Sequence, residues 1–94
     1  MNDKILVKLV VPNLDLDFDL FIPTNEQIWK IKKLIAKAID DMIDTNVLET
    51  IDNVTLLNLR TSEIYHNNDI VINTNIRNST ILTMLPVNKV SNLQ

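Results

Sequence analysis

Between Leu14 and Met42 the apolar residues change their period once, and that change limits the fold more than any other feature of this chain of 94 residues. Leu14, Leu16, Phe18, Leu20 and Ile22 alternate with Asp15, Asp17 and Asp19. A period of two sends successive side chains to opposite faces, so the segment reads as a strand with one apolar and one acidic side. Beyond Pro23, residues Ile28, Ile31, Leu34, Ile35, Ala38, Ile39 and Met42 share one stripe of a helix, with Lys30, Lys33, Lys37 and Asp40 away from its centre. Thr24 and Gln27 have the Thr-x-x-Gln spacing of a capping box, which predicts Thr24 at the N-cap and Gln27 reaching back to it. The helix is expected to end near Asp44, with Asn46 able to take left-handed backbone. Neither element can bury its apolar side alone, so the helix must cover the sheet to which the strand belongs.

The flanking segments supply the rest of that sheet. KILVKLVV, Lys4 to Val11, is β-branched and closed by Pro12-Asn13, so it pairs with the alternating strand as a hairpin, with Ile5, Val7, Leu9 and Val11 facing the core. Asn46 to Asn53 suits a helical turn. Val54 to Arg60 reads as a third strand, Glu63 to Tyr65 as a short extended piece, and Thr80 to Leu85 as a final strand stopped by Pro86. The order is strand, strand, helix, strand, short strand, irregular turn, strand: an α+β roll of the β-grasp kind, ββαββ, with one long helix on a mixed sheet. One domain over residues 1–86 is expected, followed by a tail from Val87 to Gln94 without periodicity.

Composition removes several classes of function. There is no cysteine, so disulfides, thiolate zinc sites and cysteine nucleophiles are out. There is no glycine either, which excludes a glycine-rich phosphate loop and hands every tight turn to Asn, Asp or Pro. A net charge of -3 gives no global attraction to nucleic acid or an anionic membrane. No apolar run approaches the roughly 20 residues of a membrane helix, and MNDKILVKLVVPN lacks the shape of a cleavable signal, so a cytoplasmic protein without direct membrane insertion is expected. The wealth of Asn, Ile, Lys and Asp fits a genome rich in A and T.

DLDFDLFIPTNE, Asp15 to Glu26, has the acidic spacing of a calcium loop, with Asp15, Asp17, Asp19 and Glu26 at the ligand positions. A calcium-responsive sensor is therefore one alternative. It requires Leu20 at a position that turns sharply at positive φ, and it exposes apolar residues whose burial is worth about 1.5–3 kcal/mol each. A sheet with an acidic outer stripe explains the same residues without that cost.

The sole tryptophan, Trp29, lies off the helix stripe beside Lys33 and Lys37. It either folds over a neighbouring edge or serves as an exposed aromatic anchor flanked by cations, a combination enriched at protein interfaces. His66 has no second ligand nearby, and Ser62, Ser79 and Ser91 have no discernible His and Asp partners, so no catalytic residue and no cofactor are expected.

Taken together, KILVKLVV, the turn, DLDFDLFIP, the Thr-x-x-Gln helix and NIRNSTILTML, Asn75 to Leu85, resemble ubiquitin over Lys4 to about Pro86. DLFIP at Asp19 to Pro23, followed by the helix and a short last strand, is similar to the YukD/EsaB family of ubiquitin-like accessory proteins of bacterial type VII secretion systems. That resemblance implies a cytoplasmic interaction module of a low-GC Gram-positive bacterium, docking on a protein of the secretion machine as a monomer or weak dimer. A ubiquitin-like domain of a larger membrane secretion subunit is the other possibility it implies. Ubiquitin and the sulfur carriers react through a terminal Gly-Gly; this sequence ends VSNLQ, so conjugation by that chemistry is not expected. The expected partner surface is the outer sheet face with Leu57, Leu59 and Thr83, Leu56 being the alternative if strand parity is reversed, together with Trp29, Lys33 and Lys37.

Overall fold

The computed structural model describes residues 3–86. Its regular elements are β1 (Lys4–Val11), β2 (Leu16–Pro23), α1 (Ile28–Met42), β3 (Val54–Asn58) and β4 (Ile81–Pro86), with short 3-10 turns at Pro12–Leu14, Val47–Asn53 and Val71–Asn73. The sheet order is β2-β1-β4-β3. β1–β2 and β3–β4 are antiparallel, while β1 and β4 run parallel in the centre. The expected tail, Val87 to Gln94, lies outside the described residues.

The hairpin register places Val7 against Leu20 and Leu9 against Phe18, so the period of two in both strands reads onto one face. Val7, Leu9 and Val11 of β1, Ile22 of β2, Leu56 of β3 and Leu82 and Met84 of β4 are buried there under α1. Ile5 is half-buried at the edge of this core. The helix contributes Ile28, Ile31, Ile35, Ala36 and Ile39, and the long connection after β3 closes the remaining side with Tyr65, Val71 and Ile76.

The helix begins differently from the sequence expectation. Its first residue is Ile28, and its N-cap is Gln27, whose side chain makes no capping hydrogen bond. Thr24 instead extends the hairpin, with its N–H and hydroxyl both donated to the Asp3 carbonyl at 2.8 and 3.0 Å. The orphan N–H groups of the first turn are taken by the connection after β3: Ile28 donates to the Asp69 carbonyl and Trp29 to that of Asn67, at 2.9 and 3.2 Å. A capping box satisfies the same need locally, but a loop already docked there makes it unnecessary. At its other end the helix stops at Met42, with Ile43 extended, and Asn46 is not left-handed.

The buried stripe is also rolled relative to the expected one. Leu34 and Met42 are exposed, Ala38 is half-buried, and Lys32 and Ala36 are buried instead. Lys32 tolerates this because its stem packs while its ammonium donates to the Val54 carbonyl at 3.0 Å and to Asn67 Oδ1 at 2.7 Å. Desolvation holds its pKa below the ordinary lysine value, partly offset by Asp52. Turns, too, depart from expectation: the left-handed positions are Asp15, Ser62 and Ser79, so two of the three fall on serine rather than on Asn, Asp or Pro.

The roll is checked by paired truncations. Ile35→Ala is expected to cost about 2–5 kcal/mol in urea unfolding, as for a fully buried aliphatic side chain, and Leu34→Ala less than about 1 kcal/mol, as for an exposed one; equal costs would contradict the observed burial. Ser79 has φ 73°. Because a left-handed non-glycine residue carries roughly 1–2 kcal/mol of strain, part of which glycine returns as unfolded-state entropy, Ser79→Gly is expected to raise the unfolding midpoint.

Candidate functional site

Trp29 stands in the first turn of α1, and the docking that starts the helix also positions it. The Asn67 carbonyl accepts its backbone N–H, and its indole Nε1 donates to Gln27 Oε1 at 2.9 Å. The ring is half-buried. Two ammonium groups flank it, Lys33 Nζ at 5.1 Å and Lys30 Nζ at 5.4 Å from the ring centroid, each such contact being worth about 0.5–1 kcal/mol at an exposed site. Lys30 is also paired with Glu26 at 3.1 Å, one helical turn back. Lys33 and Lys37 are exposed and have no carboxylate within 4.0 Å among the described residues. The result is a rigid aromatic plate on the helix surface with uncompensated positive charge beside it.

The other expected residues lie elsewhere. Leu56 is in the core, so Leu57 occupies the sheet face turned away from α1, and the register sets it directly beside Thr83. Both are nevertheless covered, at 6% and 2% exposure. Leu57 is bridged to Ile64, and the Thr83 hydroxyl has no hydrogen-bond partner among the described residues. Leu59, just past β3, is 43% exposed. These three residues are therefore not one continuous patch with Trp29; Leu57 and Thr83 present little surface, and the helix residues form a separate one.

Two exposed apolar residues were missed by the sequence reading as a pair: Phe21 and Leu6, register partners at the open side of the hairpin. A signal existed. Leu20, Phe21 and Ile22 form an apolar run inside an alternating strand, so one of the three had to face outward.

Below α1, Asp40 organises the chain that leaves the helix. Its Oδ1 accepts from the Thr45 hydroxyl at 2.6 Å and from the Val47 N–H at 2.8 Å, and its Oδ2 from the Leu48 N–H at 3.0 Å. The Thr45 hydroxyl first, then the Leu48 N–H, hold this carboxyl below the usual aspartate range. On the opposite side, Tyr65 OH donates to Asn75 Oδ1 at 2.5 Å and accepts from Asn58 Nδ2 at 3.2 Å, while Asn75 Nδ2 reaches Glu63 at 3.0 Å. Burial raises the Tyr65 phenol pKa. Both networks are satisfied internally and hold connections rather than a ligand.

Asp15, Asp17, Asp19 and Glu26 do not converge. Asp15 is a left-handed turn residue, Asp17 and Asp19 sit on the outer face of a strand laddered to β1 along its length, and Glu26 pairs with Lys30. Among the described residues no three His, Cys, Asp or Glu side chains gather where they could hold a metal ion. His66 is exposed. One apolar cleft of about 170 Å³ opens between the hairpin turn and the end of α1, lined by Leu14, Ile39, Val47 and Met84 among others. It is smaller than the roughly 300–1,000 Å³ of small-molecule sites. No helix of the described residues is long and apolar enough to cross a membrane.

No family model matches the chain, and no curated protein does. Solved structures do. The N-terminal ubiquitin-like domain of the 4931431F19Rik protein is 20% identical, with 92% of this chain and 77% of that one covered at a TM-score of 0.69. The ubiquitin-like domain of the Arabidopsis thaliana protein At2g32350 is 14% identical, with 90% and 79% covered at 0.64. A chain of the toluene 4-monooxygenase HD complex is 8% identical, with 89% and 99% covered at 0.69. These likenesses establish a ubiquitin-like fold; nothing in them points to YukD or EsaB.

The role of Asp40 predicts an acid limb of stability. A carboxyl whose pKa is lowered on folding contributes stability that is complete above its unfolded pKa and lost as pH falls through the folded one. Asp40→Asn should therefore melt below the parent protein at about pH 7, the gap holding down to about pH 5 and closing below it toward about pH 2. A gap that is constant with pH in thermal melts would contradict this.

Proposed function

We propose that this chain is a non-enzymatic protein-interaction module of ubiquitin-like fold, acting as a cytoplasmic accessory factor of a bacterial type VII secretion system. The observation that carries the interaction reading is Trp29, held by Gln27 and flanked by Lys30 and Lys33, with Lys37 one turn further along the same helix. An ordered aromatic side chain costs little entropy on docking, and free ammonium groups beside it select an acidic partner surface. Leu59, exposed just past β3, adds apolar area separate from the helix, while Leu57 and Thr83 are covered and present little surface. The secretion assignment draws its support from DLFIP at the end of β2 followed by α1, a pattern that resembles the YukD/EsaB proteins, and the ubiquitin-like fold is compatible with it.

The experiment is direct capture of the cytoplasmic segments of type VII membrane subunits from the same genome. Lys33→Glu with Lys37→Glu is expected to weaken such binding by ~10-fold or more, about 1.4 kcal/mol, and Trp29→Ala to do the same. The unfolding midpoint of the lysine variant should fall only slightly, by no more than the ~0.5–1 kcal/mol of the Lys33 contact with Trp29, since both lysines are otherwise exposed. Undiminished capture by both variants would remove the helix from the interface, and no capture by the parent protein would remove the secretion assignment.

A further inference from the structure

The sheet has one long open edge. β2 is bonded to β1 on one side and, among the described residues, to no strand on the other. Which of its groups are left open follows from the ladder. Leu6 and Lys8 turn their N–H groups toward β4, to Asn78 Oδ1 at 2.9 Å and the Thr80 carbonyl at 3.0 Å, and Thr24 N–H reaches back to the Asp3 carbonyl. Bonded and non-bonded pairs alternate in an antiparallel ladder, so Ile5–Ile22, Val7–Leu20 and Leu9–Phe18 exchange the bonds. The N–H and C=O groups of Asp17, Asp19 and Phe21 therefore point out of the sheet edge. The opening is bounded. Past Pro23 the chain is covered by the turn at Val71–Asn73, with Ile72 N–H on the Thr24 carbonyl at 2.9 Å, and before Leu16 it closes on itself through Asp15 N–H and the Pro12 carbonyl at 3.0 Å.

The two sides of this edge differ. Toward the helix, Leu16, Phe18 and Leu20 are only partly buried, and α1 leaves Leu34 and Met42 exposed on the flank opposite Lys32, the flank nearer β2. On the outer side Asp17 and Asp19 are exposed and have no cation within 4.0 Å among the described residues, beside Phe21 at 61% exposure.

We propose that β2 is a docking edge for an extended polypeptide segment in which basic residues alternate with apolar ones. The segment adds a strand through the outward groups of Asp17, Asp19 and Phe21. Its basic side chains fall beside Asp17 and Asp19, and its apolar ones continue the row of Phe18 and Leu20 toward Leu34 and Met42. A second copy of this chain is the wrong occupant, because antiparallel pairing of β2 with itself sets aspartates of one copy beside those of the other on the same face. The proposal rests on reading the chain as an interaction module and concerns a surface separate from Trp29, so its failure leaves the helix surface standing.

The test titrates two blocked peptides into the full chain labelled with 15N and 13C, each as long as β2 at 8 residues, one alternating Lys with Val and the other Glu with Val. The Lys peptide is expected to bind, with amide shifts and slowed hydrogen exchange at Asp17, Asp19 and Phe21 and methyl shifts at Leu34. The Glu peptide is expected not to bind at the same concentration. Asp17→Lys with Asp19→Lys should weaken binding of the Lys peptide by ~10-fold or more and admit the Glu peptide. If that variant does not fold, Asp17→Asn with Asp19→Asn should still weaken the Lys peptide. A folded protein that ignores the Lys peptide overturns the proposal, as do shifts mapping to Trp29 and α1 alone, or binding indifferent to both substitutions. A β2-mediated dimer in sedimentation overturns it in favour of a second copy.

Discussion

The parallel pairing of β1 with β4 is the constraint on which the other parts depend. It is short, registering Lys8 with Ile81 and Leu9 with Leu82, and is lengthened by Leu6 N–H to Asn78 and Ser79 N–H to the Leu6 carbonyl. Only β1–β2 is a local hairpin, β3 and β4 being paired across a long connection, and only this ladder joins the two pairs into one sheet wide enough for α1 to cover. Its closure brings together segments from the two ends of the domain, a large loop whose entropy must be offset by burial. Leu9 and Leu82, registered on this ladder and both without exposed surface, supply that burial together with the isoleucines of α1.

The connection between β3 and β4 does more than close a loop. The Asn67 and Asp69 carbonyls accept the first N–H groups of α1, Asn67 Oδ1 also accepts a hydrogen bond from the Lys32 ammonium, and Val71 and Ile76 complete the core. One irregular segment therefore starts the helix, fixes its roll and sets the orientation of Trp29. The proposed interaction surface on α1 is thus secured by residues distant in sequence, whereas the β2 edge is a consequence of sheet order alone.

The two proposed surfaces carry opposite charge. Lysines stand on the outer face of α1 and aspartates on the outer side of β2, where Lys8 is the cross-strand neighbour of Asp19. Such an arrangement favours partners by local complementarity rather than by overall attraction. It also protects the long exposed strand from pairing with its own kind.

What the residues determined unaided is the content of each element and the face it buries wherever the period is clean. Alternation along Leu14 to Ile22 and helical spacing from Ile28 to Ile39 required a strand, a helix and their mutual packing, because each is a repeat in one stretch of chain. Trp29 with Lys33 and Lys37 was legible as a helix-surface cluster for the same reason. Tertiary structure alone decided what replaced the Thr24 cap, why Lys32 is buried and Leu34 is not, and that Leu57 and Thr83 lie covered on the outer face. Those outcomes turn on a docked loop, on two acceptors offered to one ammonium and on cross-strand neighbours. Each is a contact between residues far apart in sequence, which no local period can encode.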